Sequence, residues 1–127
     1  MSRDKQTQKM VANYKRKRDL SGEVSVMEFH RRHLVLFMNR FLQLAAHFST
    51  PTSAMLGHEL FLAVDAATSV ARDDWEKHGN TGDQLSKQFA EYFTAFDQLR
   101  SGTIALGEGA ARCINALQGG RSEDVTS

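Results

Sequence analysis

The chain has 127 residues, 41% of them hydrophobic, and a formal net charge of +1. This length is typical of one domain, and the apolar content is enough to fill a single core. One proline and nine glycines are too few for the frequent tight turns of an all-β chain, so the composition favours helices. The longest apolar run, 34–38, is far shorter than the roughly 20 residues that span a bilayer, which excludes a transmembrane segment.

The cysteine content and the first residues bear on the compartment. A single cysteine, Cys113, excludes an intramolecular disulfide and a cysteine metal cluster. Residues 1–6 lack the apolar stretch of a secretory signal. We therefore expect a cytoplasmic protein.

Basic residues are concentrated at the start of the chain. Residues 1–18 contain seven basic residues and one acidic residue, a charge of +6, whereas 19–127 contain nine basic and fourteen acidic residues, a charge of −5. Within this segment only Met10, Val11 and Tyr14 offer a face for burial. The sequence therefore predicts that 1–22 form a basic N-terminal arm or a weak helix over about 3–19. Such a helix is undocked, or disordered until a partner binds.

The second predicted helix begins at a capping box, in which Ser25 and Glu28 each satisfy a free backbone N–H of the other. A largely apolar stripe with alternating spacings of three and four extends this helix over about 25–48. The stripe consists of Met27, His30, Leu34, Phe37, Phe41, Leu44 and Phe48.

A third helix is predicted over about 51–78, because the N-cap candidates Ser49 and Thr50 precede a proline at the first helical position. Gly79 is expected to end it. The short connection to the second helix predicts an antiparallel hairpin.

The longest pattern starts at a second capping box, 81–84, and continues over about 82–118. An unbroken helix of this length would extend roughly 55 Å, more than the second predicted helix can cover. Either Ser101 and Gly102 kink it into two helices, or the excess packs against another protein, for which a second copy in a dimer is the simplest candidate. The residues expected to mediate this self-association are Phe89, Tyr92, Phe96, Leu99, Leu106, Ala110, Cys113 and Leu117.

Taken together, these patterns predict an all-α fold. We expect an antiparallel bundle of three or four helices over 23–120, with a long C-terminal helix kinked near Gly102 and a flexible tail over 121–127. Capping boxes and heptads are properties of helices in general and indicate no particular family.

Four adjacent cations, 15–18, provide the sharpest local motif, because such a run can neutralise phosphates or meet an acidic protein surface. Two more arginines lie in the second turn of a predicted helix, where the helix dipole does not favour cations, which indicates a partner beyond that helix. The candidate contact residues are Lys9, Lys15, Arg16, Lys17, Arg18, Arg31 and Arg32. No helix-turn-helix, zinc-finger spacing or aromatic platform predicts base-specific reading.

Metal binding and catalysis find no support in the motifs. His58 and Glu59 are followed by Leu62 where a zinc protease needs a second histidine. His30 lies on the apolar stripe and is predicted to be a hydrogen-bonded core or interface histidine. Cys113 occupies a core position and should be inert. We expect no catalytic residue, metal or cofactor.

Two functional hypotheses follow. The first is a non-enzymatic helical protein–protein interaction module that self-associates and presents the basic arm to an acidic partner. The alternative is a nucleic-acid-associated accessory or regulatory protein whose arm contacts phosphates, with dimerisation raising the avidity.

Overall fold

The computed structural model describes residues 5–22, 25–47 and 51–126, and their side chains except those at 51, 53 and 119–126. Within this part of the chain all regular structure is helical, which confirms the predicted all-α class. The helices are α1 (Lys5–Ser21), α2 (Val26–Ala45), α3 (Pro51–Asp74), α4 (Gln84–Ser101) and α5 (Leu106–Thr126), and a π-helical turn, Trp75–Gly79, extends α3. The predicted helix end at 48 and the N-caps at 49 and 50 lie outside the described residues.

The start of α2 agrees with the sequence, whereas the start of α4 does not. The Ser25 hydroxyl accepts a hydrogen bond from the backbone N–H of Glu28 at 3.1 Å. The N-cap of α4 is Asp83, not a residue at 81, and its carboxylate accepts from the backbone N–H of Ser86 at 2.8 Å. Aspartate is the stronger N-cap, and Gly82 before it has a φ of 83°, so the chain turns immediately before Asp83.

The predicted helix over 82–118 is interrupted by a full turn. Gly102 adopts a left-handed φ of 78° and its amide donates to the Leu99 carbonyl, while the Thr103 amide donates to the Gln98 carbonyl. These two bonds form a Schellman motif, which ends α4. The chain then reverses, and α5 runs antiparallel to α4 with Gly109 packed against Leu99. The predicted segment therefore forms two helices, and the break lies at Ser101 and Gly102, where one of the two predicted alternatives placed it.

Five helices thus pack against each other, rather than the three or four predicted. α2 contacts both α3 and α5, α4 contacts α5, and α1 lies against α3 and also contacts α2. Aromatic rings fill the space between α3 and α4, where Phe61 stacks on Phe96 with ring centroids 5.8 Å apart. Buried hydroxyls also meet there, at 2.6 Å between Thr68 and Tyr92.

The last helix extends beyond the end at about 118 that the sequence predicts. Helix α5 continues through 119 and 120 to Thr126. Two glycines in a helix interior disfavour it by about 1 kcal/mol each, which weakens a helix without forbidding it. Across the described residues, no helix combines the length and the apolar character needed to cross a membrane.

Candidate functional site

Helix α1 has an inward face that packs on the body of the protein. Partly or fully buried positions recur every three or four residues, at Thr7, Val11, Tyr14, Arg18 and Ser21, and Met10 beside Val11 is partly buried as well. Tyr14 is the most buried of them, with 6% of its surface exposed. The structure therefore shows a docked helix, not an undocked or disordered arm.

Four polar side chains form a network that joins α1 to α2 and α3. The Tyr14 hydroxyl lies 2.8 Å from His30 Nδ1, and His30 Nε2 lies 2.7 Å from Asp74 Oδ2. Arg18 Nη1 donates to both oxygens of Asp74, at 2.9 and 3.1 Å. Asp74 is the last residue of α3, directly before the π-helical turn. We call this group the docking network.

Burial sets the protonation states in the docking network. It lowers the pKa of His30 despite the neighbouring carboxylate. Burial alone would raise the pKa of Asp74, but hydrogen bonds from His30 and Arg18 outweigh it and lower that pKa. The pKa of Tyr14 is raised, first by burial and then by the charge of Asp74. A neutral His30 that donates from Nε2 to Asp74 and accepts the Tyr14 hydroxyl at Nδ1 satisfies all these groups.

An Asp–His–Tyr chain resembles an acid–base relay, yet this one has no access to a substrate. His30 is fully buried and the raised pKa of Tyr14 keeps its hydroxyl protonated. A catalytic base must reach the proton that it removes. The network therefore holds helices together, and the sequence prediction that His30 is a hydrogen-bonded core histidine is confirmed by its two partners.

The opposite face of α1 is basic and exposed. At 100° per residue, Lys5, Lys9 and Arg16 lie within about 40° of one another on the side away from Tyr14, along about 16 Å of helix. Lys15 and Lys17 flank this line, each about 100° from its centre. All five side chains are exposed. We call them the basic face: Lys5, Lys9, Lys15, Arg16 and Lys17.

The seven predicted contact residues divide into two groups. Lys9, Lys15, Arg16 and Lys17 belong to the basic face, and within the described residues none of them forms an ion pair with a carboxylate. The other three are already paired: Arg18 with Asp74 and Asp19, and both Arg31 and Arg32 with Glu28. The Arg31 hydrogen bond, partly opposed by burial, lowers the pKa of Glu28.

The second-turn arginines therefore have a partner within their own helix. Glu28 precedes Arg31 by three residues and Arg32 by four, which is the spacing of neighbours on a helix surface. Lys5, which was not among the predicted candidates, also lies on the basic face, and its position one turn before Lys9 is the signal in the sequence.

The residues predicted to mediate self-association are placed inside the chain's own core. Only Leu106 is substantially exposed, at 44%, and it borders an apolar cleft of about 390 Å³ between α2, α3, α4 and α5. The chain covers the other seven because α4 and α5 fold against each other and α5 also packs against α2. The buried seven are Phe89, Tyr92, Phe96, Leu99, Ala110, Cys113 and Leu117. The overlong apolar stripe that suggested a dimer is thus not a surface.

Other candidate chemical groups are buried or paired. Burial raises the pKa of Cys113 to about 12, so its thiol is not activated. A polar cleft of about 360 Å³ lies between α1, α3 and α4. It is crossed by two ion pairs, Arg72 with Asp97 at 2.9 Å and Arg100 with Asp65 at 3.8 Å. In the described part of the chain, no cluster of three metal-ligating side chains is present.

Comparisons with models of protein families, with curated proteins and with solved structures found no match for this chain. The functional argument therefore rests on the geometry of α1 and of the body that carries it.

Proposed function

We propose that this protein is a non-enzymatic interaction module that presents the basic face of α1 to an acidic partner. One observation carries the proposal: five exposed cations lie on the outer side of a helix whose inner side is fixed to the body by the docking network. Cations without a carboxylate partner in the described structure are available to an anion from outside.

The fixed position of α1 favours binding because the helix is already ordered before a partner binds. A disordered basic arm would have to fold on its partner, and the ordering entropy would reduce its affinity. In α1 the inward residues Tyr14 and Arg18 set the rotation of the helix about its axis. The backbone positions that carry the outer cations are then fixed relative to the body.

Self-association through α4 and α5 is not part of this proposal, because seven of the eight residues expected to mediate it are buried within the chain. The non-enzymatic part is supported by the burial of His30 and Cys113 and by the ion pairs across the polar cleft.

The test compares two variants of equal net charge. The basic-face variant carries Lys5→Ala, Lys9→Ala and Arg16→Ala. The control variant carries Arg40→Ala, Lys87→Ala and Arg112→Ala, at exposed positions on α2, α4 and α5. Fluorescence anisotropy would measure the binding of labelled poly-L-glutamate and of a labelled DNA duplex at about 50 mM salt, where ionic contacts are strong.

We expect the wild type and the control variant to bind at least one of these polyanions, and the basic-face variant to bind it at least tenfold more weakly. Equal weakening in both variants would show that only net charge matters and would overturn the proposal. Failure of the wild type to bind either polyanion would overturn it as well.

A further inference from the structure

We infer that the partner of the basic face is the phosphate backbone of duplex nucleic acid, with α1 lying along a groove. This inference rests on the proposed function, since it assumes that α1 is the interacting element. It adds the class of partner and the way in which it is held.

The composition of the exposed side of α1 disfavours a folded protein as the partner. Interfaces between folded proteins have a core of apolar and aromatic residues from which charge is largely excluded. Among the exposed side chains of α1, only Ala12 and Leu20 are apolar, and the one aromatic residue, Tyr14, faces inward. A surface of cations without an apolar anchor fits a polyanion better.

The arrangement of the cations indicates a duplex rather than a single strand. Lys15, which also borders the polar cleft, and Lys17 lie on opposite flanks of α1, with Lys5, Lys9 and Arg16 between them. An α-helix with its side chains is about 10–12 Å wide, close to the roughly 12 Å width of the major groove. A helix in that groove places its two flanks near the phosphates of the two strands. Single strands are usually bound by aromatic stacking, for which this face has no ring.

Charge elsewhere in the chain orients the complex. Residues 19–127 carry a charge of −5, so the body repels phosphates while the basic face attracts them. Arg16 is the only guanidinium on the basic face, and the four lysines present ammonium groups that act as point charges on phosphates. We therefore expect binding with little dependence on base sequence.

The experiment is a salt titration of binding to a labelled DNA duplex of about 20 base pairs, long enough to exceed the length of α1. Five phosphate contacts predict a slope of log K against log salt of about −4.5, at −0.9 per contact. Removal of three cations in the basic-face variant should reduce the slope to about −2. The control variant should keep the wild-type slope.

The two proposals can fail separately. Binding of poly-L-glutamate with no duplex binding would overturn the nucleic-acid inference and leave the proposed function standing. A single strand that binds more tightly than the duplex, or a basic-face variant with the wild-type slope on duplex, would also overturn the inference. Absence of binding to either polyanion would overturn both.

Discussion

The docking network can be tested by the substitution Asp74→Asn, which keeps the shape of the side chain and removes its charge. Arg18 and His30 both donate to Asp74, at 2.9 and 2.7 Å, and an amide presents an N–H to one of these donors. Hydrogen bonds to a charged group contribute about 1.5–3 kcal/mol each. Arg18 keeps 19% of its side chain exposed and can be partly rehydrated. We therefore expect a loss of about 3 kcal/mol in the free energy of unfolding.

The neighbouring residue provides a matched control. Asp73→Asn removes the same charge from the same helix, but the Asp73 side chain is 50% exposed and pairs with Lys77 on the surface. Such a pair contributes about 0.3–0.5 kcal/mol. Urea unfolding of both variants would measure the difference. For a domain of this size, a loss of about 3 kcal/mol corresponds to a decrease in Tm of about 10 °C.

Hydrogen exchange adds a local measurement that separates docking from general stability. If the network holds α1 in place, Asp74→Asn should accelerate amide exchange in α1 more than in α4, because α1 would open before the whole domain unfolds. The reasoning would be refuted if Asp74→Asn and Asp73→Asn were equally stable, or if exchange in α1 did not change.

Three further predictions concern pH, packing and thiol reactivity. Burial lowers the pKa of His30 below its unfolded value of about 6.5, so the free energy that neutral His30 contributes to folding is complete above that pH and is lost as the pH falls. The midpoint of urea unfolding should therefore decrease toward pH 5 in the wild type, and should decrease less in His30→Gln. Gly109→Ala places a Cβ 2.8 Å from Leu99 Cδ1 and 3.0 Å from Leu99 Cβ, so we expect a loss of stability of about 1–3 kcal/mol, which outweighs the helix propensity gain of about 1 kcal/mol. Gly107→Ala meets only a methyl group at 4.0 Å and should stabilise the protein. Stabilisation by both substitutions would contradict the close approach of α5 to Leu99. The buried Cys113 should react with a thiol reagent only in denaturant, and rapid labelling of the native protein would contradict its burial.

The helices were predictable because capping residues and apolar spacing are local signals. A break at Ser101 and Gly102 was one of two predicted alternatives, but the reversal of the chain between α4 and α5 was not predicted. The heptad pattern runs through Ser101 and Gly102 without a break, and the same apolar positions face a core whether the chain continues or reverses. The left-handed φ of Gly102 and the Thr103 amide bonded to Gln98 decide between them. Neither is visible in the periodicity, and the apolar stripe from which a dimer was inferred is largely buried within the chain.

The positive charge of the candidate site could be predicted from the sequence, but the carboxylate partners of its residues could not. The run over 15–18 shows that the segment is basic. Helical spacing alone would also have assigned Arg31 and Arg32 to Glu28. Arg18, however, binds a carboxylate 56 residues away, and His30 one 44 residues away. Only the packing of α1 and α2 against the end of α3 brings these groups together, so the sequence could not separate the structural Arg18 from its exposed neighbours.

The Arg18–Asp74 ion pair allows the contribution of the docking of α1 to duplex binding to be measured separately from the contribution of its charge. Asp74→Asn leaves all five cations of the basic face in place while it weakens the docking of α1. If only docked α1 binds duplex, the apparent Kd rises in inverse proportion to the docked fraction. The number of phosphate contacts in the complex stays the same, and so does the salt slope.

We therefore expect Asp74→Asn to weaken duplex binding several-fold at every salt concentration with the wild-type slope, and Asp73→Asn to bind as the wild type does. The basic-face variant should change the slope instead. In a plot of log K against log salt, a line for Asp74→Asn parallel to that of the wild type, and a line of smaller slope for the basic-face variant, would establish that the orientation of α1 and its charge act independently. If hydrogen exchange shows that α1 is largely undocked in Asp74→Asn and the affinity is nevertheless unchanged, α1 binds equally well when undocked, and the fixed helix has no part in recognition.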